Sequence, residues 1–250
     1  MKISVRANEI ADSENKIKGL STVSFGDDFK IRGVSVVEGK EGKHFVSMPS
    51  FKTNQVDQDG NAVFKDLCNP IESEFSKKLQ SAILESFDTK KEVSFDLDTG
   101  KEQPSFSVKA FPFEESDRAT KGLAKVYIDD VFVVNNVAIM ENKNKDLFIS
   151  MPSYKMKTPD KDGKPQYKEF AFPATKECRE SLYGEIMNKF NEAKANSLSA
   201  PKLNPDEIPF DDKKESTKAA LKECKEIADE KNNKKEPQKS KSKSKDEIGA

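Results

Sequence analysis

The chain has 250 residues, 34% of them hydrophobic, with 43 Lys and Arg against 44 Asp and Glu. That balance excludes a bulk polycation, and no apolar run approaches the ~18–20 residues of a membrane-spanning helix. Cys68, Cys178 and Cys224 are odd in number, far apart and in no CxxC pair, which fits a reducing compartment better than a disulfide framework. The expected location is cytoplasmic, with neither export nor membrane insertion indicated.

Ile3, Val5 and Ala7 alternate with polar residues, as do Leu20, Val23 and Phe25, so both segments read as strands with one buried face. Asp27-Asp28 makes a tight turn into a third strand, Phe29 to Val37. A Gly-rich turn, Gly39 to Gly42, leads to a fourth at Phe45 to Met48, which stops where Pro49 removes a backbone donor. An antiparallel meander results. A polar loop from Thr53 to Ala62 follows, then a short return strand at Phe64 to Leu67, and Asn69-Pro70 resets the chain. From about Glu72 to Phe87 the apolar residues Phe75, Leu79, Ala82, Ile83 and Phe87 form one helical stripe, with Ser73 as the predicted N-cap.

This pattern is then written a second time. FVSMPSFK from Phe45 to Lys52 returns as FISMPSYK from Phe148 to Lys155, and Ile3 to Phe87 aligns on Phe106 to Phe190 without a gap, 103 residues later. Asp129-Asp130 repeats the turn, Pro152 the strand end, Asp162-Gly163 the loop and Pro173 the approach to a helix whose stripe is Cys178, Leu182, Ile186 and Phe190. Solenoid repeats are shorter and cannot fold alone, whereas each copy here is long enough for its own small core. The expected class is α+β: two tandem small antiparallel sheets, each closed by a C-terminal helix. The domains are read as residues 1–88 and 104–192, joined by a linker at 89–103 in which Val93, Phe95 and Leu97 suggest an extra edge strand. Fully extended, that linker could span ~50 Å, so it forces no one arrangement of the copies. Residues 193–250 turn acidic and then Lys/Ser-rich, and are expected to be mostly disordered.

Catalytic signatures are missing from the sequence. His44, the one histidine, stands where the second copy has Leu147, and there is no phosphate loop, HExxH, GxSxG or paired Cys/His cluster. The acid pairs at 27–28 and 129–130 read as turn chemistry. No catalytic residue, metal ligand or cofactor is expected, and an enzyme is the least favoured class.

A specific motif does run through each copy. Asp27, Phe29, Val34, Val36, Glu38, Gly39, Phe45, Val46, Met48, Pro49, Ser50, Lys52, Asp59, Gly60, Phe64, Lys65, Asp66, Pro70 and Ile71 fall in order into a pattern that resembles the stage V sporulation protein G family of septation regulators. The resemblance covers both copies and leaves the last part of the chain unexplained. It implies small antiparallel sheets with a C-terminal helix, forming homodimers and acting as nucleic-acid-binding regulators of septation, sporulation and gene expression. By that resemblance the two copies would form a covalent pseudo-dimer, with higher oligomers open. Where family members often carry two consecutive basic residues, this chain has Phe51-Lys52 and Tyr154-Lys155.

Read from the residues, the loops still offer a surface for polyanions. Lys155, Lys157, Lys161, Lys164 and Lys168 outnumber Asp160 and Asp162 in the second copy, whereas Lys52 and Lys65 only balance Asp57 and Asp59 in the first. Lysines give sequence-independent phosphate contacts, and Phe51 and Tyr154 beside them could stack on unpaired bases, which predicts a preference for single strands. The alternative is that the two rings pack across the sheet and the lysines are a solvated loop. Asp206, Glu207, Ile208, Pro209 and Phe210 resemble the acidic, Pro-Phe-ending tip of single-stranded DNA-binding proteins, here without a terminal carboxylate. They keep a second class open, a protein-interaction adaptor or single-stranded-DNA accessory protein that recruits a partner.

Overall fold

The computed structural model describes residues 1–10, 16–113, 118–156 and 158–196. In the first copy β1 (Lys2–Glu9), β2 (Ile17–Phe25), β3 (Phe29–Glu38) and β4 (His44–Ser47) form the expected antiparallel meander. Then come β5 (Ser50–Val56), β6 (Ala62–Asp66), β7 (Cys68–Pro70), α1 (Ser73–Thr89) and β8 (Val93–Asp96). The second copy repeats the series as β9 (Phe106–Pro112), β10 (Thr120–Ile128), β11 (Phe132–Glu141), β12 (Leu147–Ser150), β13 (Ser153–Lys155), β14 (Tyr167–Glu169), β15 (Ala171–Pro173) and α2 (Lys176–Asn196). As the linker's alternation predicts, β8 lies on the edge of the first sheet, paired with β1.

Both helices bury their predicted stripes. The last ring of each fits over a strand glycine, Phe87 on Gly19 and Phe190 on Gly122, where an added Cβ would come within 2.7 Å of the ring. The cap of α1 differs from expectation: Glu72, not Ser73, is the N-cap, its carboxylate accepting from the N–H groups of Glu74 at 2.9 Å and Phe75 at 2.6 Å. A carboxylate with two oxygens satisfies two of the orphan donors of the first turn. The predicted polar loop at 53–62 is also more regular than expected. It is a hairpin arm, β5 against β6, closed by a short turn at Asp57–Asn61.

The two copies are joined by exchanged strands. After each arm the chain runs onto the other copy: β7 pairs with β11, and β15 pairs with β3. Each therefore completes a sheet edge whose N–H and C=O groups would otherwise lack partners. Matching bonds run beside them. Arg32 N–H donates to Phe170 O at 2.6 Å and Asn135 N–H to Leu67 O at 2.7 Å; Ala174 N–H donates to Asp28 O at 2.6 Å and Ile71 N–H to Val131 O at 2.8 Å. Asn69-Pro70 and Pro173, which read as breaks in the sequence, are these exchanged strands.

One apolar core serves both copies. Phe132 of the second copy lies 5.4 Å from Phe25 and 6.4 Å from Phe75 of the first, while Phe29 of the first lies 5.4 Å from Phe106 of the second. Truncating such a ring removes transfer energy and leaves a cavity in the other copy's core. Phe132→Ala should lower the unfolding free energy by about 3–5 kcal/mol in one transition. All four tyrosines belong to the second copy, so their fluorescence should fall with the same urea midpoint as circular dichroism, which reports both copies. Separate midpoints would show that the copies unfold independently.

Candidate functional site

The two arms bring together most of the residues that the sequence singles out. In β5–β6 the register pairs Phe51 with Lys65 and Lys52 with Phe64; in β13–β14 it pairs Tyr154 with Lys168 and Lys155 with Tyr167. Directly opposed residues share a face and successive residues alternate faces. Each arm therefore carries one aromatic–lysine pair on each of its two faces.

The faces are not equivalent. Tyr154 packs its ring 4.8 Å from Phe170, whose own ring lies over Gly33 of the first copy. Gly33 has φ +76 at a bulge in β3, and a Cβ there would meet the Phe170 ring at 3.1 Å. Tyr154 is still 40% exposed, but Phe64 at 56% and Tyr167 at 64% are more open. Phe64 and Tyr167 are the rings that reading the sequence did not single out as binding residues. Their register with Lys52 and Lys155 could have been found by treating the loop as a hairpin, since SFK and the returning aromatic–Lys–acid run have the right alternation.

The arm tips share a backbone and differ in charge. Asp57 Oδ1 accepts from Asp59 N at 3.0 Å and Asn61 N at 2.8 Å, and Asp160 Oδ1 accepts from Asp162 N at 2.9 Å and Lys164 N at 2.7 Å. Bonds from Asn61 hold the Asp57 carboxyl below the ordinary carboxylate range. Gln58 and Asn61 of the first tip are replaced by Lys161 and Lys164 in the second. Lys155, Lys161, Lys164 and Lys168 are exposed, as is Lys52, while Lys65 is half-buried. Lys157 and the segment Asp206 to Phe210 lie outside the described residues.

Other candidate chemistry is weak. His44 is exposed and meets Phe87 edge-on at 5.1 Å. Burial pushes the Cys68 thiol far above its ordinary value and raises that of Cys178 to about 11, so neither supplies a thiolate near neutrality. Among the described residues no three His, Cys, Asp or Glu side chains could hold a metal ion. Nor is any described helix long and apolar enough to cross a membrane.

Comparison with known proteins points one way. The SpoVG family model matches residues 1–89 and again 105–192, well over half of the chain. A septation protein SpoVG of Clostridium beijerinckii is 43% identical over 84 residues, covering 34% of this chain and 84% of the relative. Its counterpart in Caldanaerobacter subterraneus is 39% identical over 93 residues, 37% of this chain and 93% of the relative. For the Clostridium novyi protein the figures are 34% over 98 residues, 39% and 90%. No solved structure matches the chain significantly.

The two tyrosines of the second arm should separate in a stability measurement. Tyr154→Ala should lower unfolding free energy by about 0.5–1.5 kcal/mol through its lost ring contact, and Tyr167→Ala should change it by less than about 0.5 kcal/mol. Equal losses in urea titrations would mean that both faces of the arm are packed.

Proposed function

The chain belongs to the SpoVG family, with two copies of the family's region in one polypeptide, and from that premise we propose that it is a non-enzymatic nucleic-acid-binding regulator of the septation type. The observation that carries this reading is the set of cross-strand aromatic–lysine pairs on the two arms, above all Lys155 with Tyr167 and Lys52 with Phe64. Lysine ammonium groups contact phosphates irrespective of sequence, and an exposed ring beside them stacks on a base that is not held in a duplex. Unpaired strands are therefore the preferred ligand. Affinity comes mainly from the second arm, where the tip adds Lys161 and Lys164; the first arm contributes less, since Asp57, Asp59 and Asp66, matched by Asp160, Asp162 and Glu169 in the second, face only Lys52 and Lys65 there.

In this reading the tandem copies are a covalent counterpart of a homodimer. Support comes from the reciprocity of the exchange: β7 on β11 matches β15 on β3, residue for residue at an offset of one repeat. A two-fold assembly of identical subunits would make both contacts alike. Fusion lets the two arms diverge in charge while the joint is kept.

Titrating the full chain with single-stranded DNA, duplex DNA and RNA at two salt concentrations tests the proposal. Replacing Lys155, Lys161, Lys164 and Lys168 with Ala should weaken binding to all sequences alike and reduce the slope of log affinity against log salt by up to ~0.7 per lost contact. Replacing Lys52 and Lys65 should cost less. Tyr167→Ala should reduce single-strand affinity by roughly 1–3 kcal/mol and leave duplex affinity nearly unchanged. Salt-insensitive binding, or equal losses from both arms, would contradict the assignment.

A further inference from the structure

Among the described residues a strand closes the outer edge of the first sheet, and none closes the equivalent edge of the second. On β1, Ile3 and Val5 pair with Phe95 and Val93 of β8, and Ala7 N–H donates to Ser86 Oγ at 3.0 Å. Ser86 is fully buried and donates in turn to Lys91 O at 2.6 Å. The outward backbone groups of Ile3 and Val5 and the N–H of Ala7 thus have partners on that side.

On β9 the counterparts are Phe106, Val108 and Ala110. Asp129 N–H bonds to Ser105 O and Phe113 N–H to Lys121 O, so the odd-numbered residues of β9 face β10 and the even-numbered ones face outward. Among the described residues no strand pairs with this outward side. Two sequence differences explain it. Lys90, at φ 58, turns the chain back after α1 to form β8, whereas α2 runs on to Asn196. Ser86 is replaced by Lys189, which cannot accept a hydrogen bond and is paired with Glu192 at 2.9 Å. Pro112, the next even-numbered residue, has no N–H to place there, as is usual for a strand at a sheet edge.

A cavity of about 320 Å³ adjoins the start of this edge, lined by Asp98, Ser105, Phe106, Ser107, Asp129 and Asp130. Ser105 donates to Asp129 Oδ1 from its N–H at 3.2 Å and its hydroxyl at 3.0 Å, while Lys101 donates to the Ser105 hydroxyl at 2.7 Å. Asp129 Oδ2 is buried with no hydrogen-bond partner. A buried carboxylate oxygen left without a donor is costly, and a cation held in the adjoining cavity would offset the charge it carries.

We propose that the outward edge of β9 docks an extended segment of a partner protein, added as a further strand, with a Lys or Arg side chain directed to the cavity of Asp98, Asp129 and Asp130. Main-chain bonds to Phe106 and Val108, the counterparts of the residues that β8 covers on β1, supply the pairing, and the acidic cavity supplies register and charge selection. A nucleic acid would be repelled by the same acids, so this edge is distinct from the arms. A second copy of this chain would bring the donorless Pro112 into the pairing and no basic residue on its own β9 other than Lys109, which stacks on Tyr127.

Amide exchange of the full chain, with and without a blocked seven-residue peptide of alternating Val and Lys, tests this. The peptide should slow exchange at Phe106 and Val108 by roughly tenfold or more. The same peptide with Glu for Lys, or with alternate amides N-methylated, should not. The double variant Asp98→Asn, Asp130→Asn should weaken binding of the Lys peptide by roughly tenfold with an unchanged unfolding midpoint. The proposal is overturned if these two amides are already protected in the free chain, if they become protected on raising protein concentration alone, or if the Lys and Glu peptides bind equally.

Discussion

Two strands of three residues each, β7 and β15, are the joint on which the rest of the molecule depends. Each leaves its own copy and hydrogen-bonds to the first residues of β3 or β11 in the other, an edge that β4 and β12, paired farther along, do not reach. Without the exchanged strand, buried N–H and C=O groups of Phe29–Ile31 or Phe132–Val134 would go unpaired, which the interior penalises far more than a hydrogen bond rewards. The exchange also fixes where the arms emerge. Leu67 N–H returns to Pro49 O at 2.7 Å and Phe170 N–H to Pro152 O at 2.8 Å, so each arm begins and ends at one point of the scaffold.

Around this shared joint the copies have drifted in compensating ways. Gly33 leaves room for the ring of Phe170; at the matching place Asn136 takes the left-handed backbone, and the counterpart of Phe170 is the smaller Leu67, whose carbonyl accepts from the neighbouring Asn135 N–H. Arg32 lies 4.0 Å over the ring of Phe172, whereas Asn135 donates to Asp66 O and Asn69 Oδ1. Thr175 donates to Asp28 Oδ1 and accepts from Cys178 N–H, tying the start of α2 to the turn of the first copy, while α1 caps itself with Glu72. Drift at the joint preserves hydrogen bonding and volume. Away from the joint, at the arm tips and the outer sheet edges, it changes charge and exposure instead.

Much of this was legible in the sequence because local rules carried it. Alternation placed β1 to β4 and β8, the helical stripe of Phe75, Leu79, Ile83 and Phe87 was buried as read, and the gapless repeat extended all of it to the second copy. The exchanged strands were hidden because Asn69-Pro70 and Ala171–Pro173 look like turn chemistry, and three residues give too short a window for any period to register. The arms read as loops because Thr53, Asn54 and Gln55 are polar on both faces, as expected of a hairpin with one face open and the other only partly covered. The sequence singles out Tyr154 because it stands where family members often carry a second basic residue; which ring rests on the scaffold depends on Phe170 and Gly33, residues brought together by the exchange.

The exchanged joint is tested most directly by native-state hydrogen exchange at the amides of Arg32 and Asn135. Their bonds to Phe170 O and Leu67 O cross between copies in opposite directions. Both should be protected to the level of global unfolding and respond in parallel to low concentrations of denaturant. Rapid exchange at either, or protection of one that survives loss of the other, would contradict a fold in which each copy completes its neighbour.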